Sequence, residues 1–189
     1  MKFNTRKLVT LSLLMALTIV FTRIASIRIP FGGVEGVRVG FGSLPILLAG
    51  ILFGPISGFI VGALGDLIGY FLNPMGAYMP HFTLSAGLSG FIPGSIYYFT
   101  FRPKSNIHFS SKLQVSRPSF WLIFISILIG QVTISLLLIP YFLSALFSIP
   151  YELTIIPRTI TQLISIPIFS WVIWIISNKT NIFDYVKSK

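Results

Sequence analysis

An all-α integral membrane protein of six transmembrane helices, with the N- and C-termini cytoplasmic, is the fold this sequence predicts. Three observations lead there. The 189-residue chain is 54% hydrophobic and only 10% charged, with a mean hydropathy of +0.88. That is more apolar surface than a soluble domain of this size can hide. The apolar residues fall in blocks of membrane-crossing length, and the cations collect at the ends of those blocks. No segment is both long and polar enough to stand as a soluble domain, so residues 1–189 read as one membrane domain.

The first span covers about residues 8–27. Lys2, Arg6 and Lys7 precede it in the manner of a signal peptide, yet no small-x-small cleavage site follows and Arg23 interrupts its end. A retained helix is expected. The second block, 43–72, is 30 residues long and carries Gly54-Pro55 near its middle. Proline in a helix interior removes a backbone hydrogen bond and clashes with the preceding turn, so this block is either one kinked helix or two short ones. Charge decides. One helix makes five spans and leaves Arg102, Lys104, Lys112 and Arg117 outside, whereas two helices make six and bring that loop to the side of both termini. Ten of the fourteen cations then lie inside, as the positive-inside rule expects. Six spans follow, at about 8–27, 39–54, 56–72, 83–101, 120–143 and 155–177.

The net charge of +10 thus reads as a cytoplasmic rim, and no nucleic-acid partner is expected. There is no cysteine, which excludes disulfides and thiolate metal sites. His81 and His108 are too isolated to suggest zinc, and neither a metal nor a cofactor is expected. No G-x-x-x-x-G-K-[ST] occurs, so a transport function would draw its energy from a partner. Gly87-Leu88-Ser89-Gly90 has the G-x-S-G form of intramembrane rhomboid proteases. Their serine needs a histidine base in the sixth span, and none is present there, so Ser89 reads as a small packing residue.

The remaining residues point to a ligand. Asp66 lies deep in the second block, where an ionisable group is costly unless paired or facing a polar cavity. Arg23, Arg28, Arg38 and Arg158 gather on the side that should be cation-poor, and each is the residue that grips carboxylates through a planar fork. Snorkelling to the interface is the bland account of these arginines; an anionic ligand entering from outside is the sharper one. Gly58, Gly62, Gly65 and Gly69 form one narrow face of span 3, and Ala86, Gly90 and Gly94 one of span 4, as in close helix packing. Asp66 sits at the edge of that face. Tyr70, Tyr78, His81 and Phe82 surround the Pro/Gly loop after span 3. Phe31, Phe41, Phe142 and Tyr151 lie near the same outer side, where they form an interfacial belt or stack on a planar heterocycle.

Arg38-Val-Gly-Phe-Gly, Leu44-Pro45, Leu52-Phe53-Gly54-Pro55, Gly65-Asp66-Leu67-Ile68-Gly69 and Gly76-Ala77-Tyr78-Met79-Pro80-His81-Phe82-Thr83-Leu84-Ser85 follow one another in an order that resembles the folate-family substrate-binding S components of energy-coupling factor (ECF) vitamin transporters. The likeness is specific over about residues 20–95. It implies an outward-facing vitamin pocket capped by the loops after spans 1 and 3. It also implies a complex with a transmembrane coupling subunit and two cytoplasmic ATPases, in the plasma membrane of a prokaryote. The small-x-x-x-small docking patch of the first helix falls on Ser12 and Ala16. Where many relatives have Pro-Gly-Phe-Thr, this chain has Pro80-His81-Phe82-Thr83.

A pterin-type vitamin with a dianionic tail, folate, suits stacking rings, a carboxylate for the 2-aminopyrimidinone edge, and arginines at the opening. Two accounts of Asp66 stay open: pterin partner, or partner of Arg23 in a buried ion pair. The other functions weighed are an S component for another heterocycle, such as a thiamine or queuosine precursor, and an integral membrane enzyme. The enzyme lacks a nucleophile–base pair.

Overall fold

The computed structural model describes residues 5–24, 26–31, 34–74, 78–101 and 119–179. Helix α1 covers Thr5–Arg23, strands β1 and β2 cover Ser26–Phe31 and Val34–Gly40, and α2 covers Ser43–Phe53. Then follow α3 over Pro55–Leu72, α4 over Pro80–Phe101, α5 over Phe120–Phe147 and α6 over Tyr151–Lys179. Three of these helices, α3, α5 and α6, are long and apolar enough to cross a membrane. Lys2, Arg102, Lys104, His108, Lys112, Arg117, Lys187 and Lys189, and Gly76-Ala77 of the loop after α3, lie outside the described residues.

Among the described residues six helices form, with one addition to the all-α expectation. The connection after α1 is an antiparallel β-hairpin. Ile27, Ile29, Val34, Val37 and Val39 supply the β-branched residues that favour strand, and the helix ends at Arg23 instead of reaching residue 27. The register shifts between Ile29 and Pro30, where proline brings no N–H to the ladder. Because β2 runs to Gly40, α2 begins at Ser43 rather than at 39.

The Gly54-Pro55 break makes two helices. Gly54 adopts φ +95°, a conformation glycine reaches without a Cβ penalty, and its N–H caps α2 on the Gly50 carbonyl at 3.1 Å. Pro55 then opens α3, where its fixed φ is suited to a first turn. The eleven residues of α2 reach only about 16 Å, and Pro45 through Leu52 are all buried. Lys7 of α1 closes the far end by donating to the Phe53 carbonyl at 3.3 Å, a cation at a helix C-terminus.

Glycine sets how closely these helices approach. A Cβ on Gly58 would stand 2.7 Å from Gly50 Cα and 2.8 Å from the Gly90 carbonyl oxygen. One on Gly94 would stand 2.7 Å from the Gly50 oxygen. Thus α2, α3 and α4 meet backbone to backbone, as small residues allow in lipid. Further along α3 the neighbour changes: Gly65 faces Thr18 and Gly69 faces Arg23 of α1. The apolar core draws on all six helices, with Leu14, Leu47, Val61, Tyr97, Ile127 and Ile173 among its members.

Two irregularities mark the last helices. Residues Thr133–Leu138 of α5 are wound as a π-helix, just ahead of Pro140. Helix α6 contains Pro157 and Pro167.

Candidate functional site

The close approach at Gly69 is what brings the site together. With no Cβ there, Arg23 lies along α3; a Cβ would come within 2.9 Å of its Nε. From that groove Nη1 donates to the Asn73 carbonyl at 3.3 Å. Nη2 reaches the Asp66 carbonyl at 3.4 Å and the Asp66 carboxylate at 3.5 Å. Asn73 is the C-cap of α3, so the guanidinium meets the negative end of the helix as well as a carboxylate. The pair is largely hidden, at 6% side-chain exposure for Arg23 and 18% for Asp66.

The other carboxylate oxygen faces α4. Thr83, in the first turns of that helix, donates its hydroxyl to Asp66 Oδ2 at 2.9 Å and lies 3.2 Å from the Tyr78 hydroxyl. The rings of Tyr78 and Tyr70 stand 5.1 Å apart at 54°. One network therefore joins α1, α3, α4 and the segment leading into α4, with Asp66 at its centre. The Arg23–Asp66 pair foreseen as one account of the carboxylate is formed. Each carboxylate oxygen carries two lone pairs, and the two contacts leave acceptor capacity free.

The sequence-predicted residues divide into groups. Arg23, Asp66, Tyr70 and Tyr78 converge. His81, exposed at the start of α4, packs its ring on Phe142 of α5 at 4.9 Å, so it bridges two helices beside the cluster. Phe82, the next residue, is half-buried. Arg28 and Arg38 are directly opposed partners in the hairpin register; their side chains lie outside the described atoms. Arg158 sits on α6 with its Nε shut off from solvent.

On α1, Ser12 and Ala16 are both exposed, and Ser12 turns its hydroxyl back to the Leu8 carbonyl at 3.0 Å. Ser89 is buried and bonds the Ala86 carbonyl of its own helix at 2.7 Å, the behaviour of a packing residue. Phe41 reaches the buried Phe169 of α6, ring centroids 6.1 Å apart.

Sequence reasoning passed over two members of the network. Thr83 stood in the quoted motif without being singled out; a hydroxyl at the start of a helix that follows a buried carboxylate was the available signal. Asn73 contributes only its carbonyl, which side-chain chemistry cannot announce.

Residues 2–177 match the family model described as ECF-type riboflavin transporter, S component. The folate transporter FolT of Clostridium novyi (strain NT) is 41% identical over 91 residues, 48% of this chain and 50% of FolT. The matched segment spans about half the length of that relative. A solved structure described as FolT bound with folic acid superposes with a TM-score of 0.73 at 26% identity. It covers 93% of this chain and 96% of the other. These helices are thus those of a membrane protein, and the chain belongs to the family of S components of ECF-type riboflavin transporters.

Proposed function

We propose that this chain is the folate-binding S component of an ECF uptake transporter, capturing a pterin-type vitamin outside the cell and delivering it inward with energy from partner ATPases. The observation that carries the reading is its likeness to the folic acid-bound FolT structure over 93% of its length. The site chemistry supports it. Arg28 and Arg38 occupy opposed positions of one hairpin, where like charges repel unless an anion lies between them. A dianionic tail supplies that anion. Tyr70 and Tyr78 offer flat faces to a pterin, and Asp66, already steadied by Arg23 and Thr83, keeps lone pairs for its amino-pyrimidinone edge. His81, Phe82 and Arg158 complete the proposed ligand set.

Partners follow from the same reading. Ser12 and Ala16 are four residues apart on an exposed stripe of α1, a surface against which a coupling-subunit helix can pack closely. Both termini are placed in the cytoplasm of a prokaryotic cell, with the hairpin outside. Ala16→Trp is expected to keep ligand affinity while abolishing uptake and co-purification with the coupling subunit. Normal uptake in cells expressing all subunits would remove this docking assignment.

The family description favours a second reading, riboflavin, whose planar ring system bears no carboxylate. Calorimetry on the detergent-purified chain separates the two. One-to-one binding of folate without ATP is expected. Binding of riboflavin with no response to folate would overturn the proposal.

A further inference from the structure

The Leu136 carbonyl lies in the π-wound stretch Thr133–Leu138 of α5, just ahead of Pro140. In such a stretch the backbone hydrogen bonds run between residues five apart instead of four. The hydroxyl of Tyr151 donates to this carbonyl at 2.8 Å, giving backbone in an irregular turn a partner from the next helix, as lipid favours.

Tyr151 is also the first residue of α6, and the turns that follow are weakly held. The chain enters through Ser148 at φ 53°, an uncommon conformation for a side-chain-bearing residue. Pro157 supplies no N–H to the Leu153 carbonyl. Between Tyr151 and Ser165 the only buried residue is Thr154. On the α5 side the Tyr151 ring lines an open groove of about 400 Å³ with Thr133, Leu137, Leu138 and Tyr141, so packing leaves the first turn room to shift. Arg158 lies seven residues after Tyr151, on the same face of the helix.

We infer that the Tyr151 hydroxyl, bonded to the Leu136 carbonyl in the π-wound stretch of α5, tethers the start of α6 to α5 and thereby positions Arg158 for an anionic ligand. Tyr151 is a positioning residue; it acts through Arg158. The second half rests on the function proposed above, whereas the tether does not.

The test uses the full chain in detergent and Tyr151→Phe, which keeps the ring. Amide hydrogen exchange without ligand reads the tether: exchange across 151–158 is expected to speed up by about tenfold, as local opening becomes easier. Folate and a tail-less pterin then read the positioning. The variant is expected to bind folate about fivefold to tenfold more weakly, the net worth of roughly one hydrogen bond. It is expected to bind the tail-less pterin unchanged and to add nothing to the loss in Arg158→Ala.

Unchanged exchange overturns the tether. Equal losses for both ligands, or additive losses in the double variant, overturn the link to Arg158. Wild-type protein that binds no folate overturns the proposed function and the Arg158 step with it, and the exchange result still decides the tether.

Discussion

Helices α1–α4 and helices α5–α6 solve the same problem in opposite ways. In the first group backbones touch, Gly50, Gly58 and Gly90 forming a junction that admits no Cβ. In the second, bulky side chains intervene: Phe120 meets Trp174 edge-on at 6.3 Å, and Ile123, Ile127, Ile173 and Phe169 fill the space. Proline lies within helices of both groups, Pro93 in α4 and Pro140, Pro157 and Pro167 in the last two. Lipid gives helices no hydrophobic reason to associate. Where glycine removes the spacer, van der Waals contact fixes the geometry and tolerates little change. Where side chains act as spacers, a helix can depart from α-geometry and be held by a side chain of its neighbour, as Tyr151 holds the Leu136 carbonyl.

The contrast breaks most visibly at Gly90. A side chain there would begin 2.7 Å from the Gly58 backbone, and overpacking against two rigid backbones costs about 3 kcal/mol or more. Gly90→Leu is expected to yield no folded monomer on size exclusion; a monodisperse protein with unchanged melting temperature would show the junction to be soft.

Asp66→Ala comes next. It leaves the guanidinium of Arg23, 6% exposed, without its carboxylate. Removing one partner of a buried pair costs about 3–5 kcal/mol, and the 3.5 Å separation and partial exposure of Asp66 place this pair at or below the lower end. Asp66→Ala with Arg23→Met should recover part of the loss in a thermal melt, because no orphaned charge remains. A double variant less stable than the single one would count against the clamp.

Thr83→Val tests a single strand of the network at nearly constant shape. Loss of its hydrogen bond to Asp66 is expected to cost about 1 kcal/mol and lower the melting temperature modestly. No change would mean that the α3–α4 contact rests on glycine alone.

At the small end, Pro167→Ala in α6 restores a backbone N–H in a side-chain-spaced region. Its effect on unfolding is expected to stay within about 0.5 kcal/mol. A loss as large as that at Gly90 would erase the distinction between the two halves.

Much of this was legible because it depends on local chemistry. Apolar length, the cation tally and the Gly54-Pro55 pair suffice for six helices, since the bilayer sets helix length and proline denies one specific hydrogen bond. Glycine spacing on α3 marks a packing face, and Asp66 marks itself by being a carboxylate in an apolar run. The hairpin was less legible: its β-branched residues sit among arginines and glycines that read equally well as a capping loop. The π stretch in α5 was not legible either, since nothing before Pro140 distinguishes Thr133–Leu138 from ordinary apolar helix.

The sequence by itself determined the membrane environment, the six helices, the glycine faces and the residue types available for an anion and a planar ring. Tertiary structure alone decided which of them meet. Gly69 could serve any neighbour until α1 packed there and laid Arg23 along α3. Asp66 could have faced a ligand, a lipid-filled gap or an arginine until α4 brought Thr83 to its other oxygen. Leu136 and Tyr151, fifteen residues apart, become partners only once α5 and α6 fold back on each other. The physical reason is common to all three: a hydrogen bond or close contact acts over a few ångströms, and chain order fixes such distances only within an element.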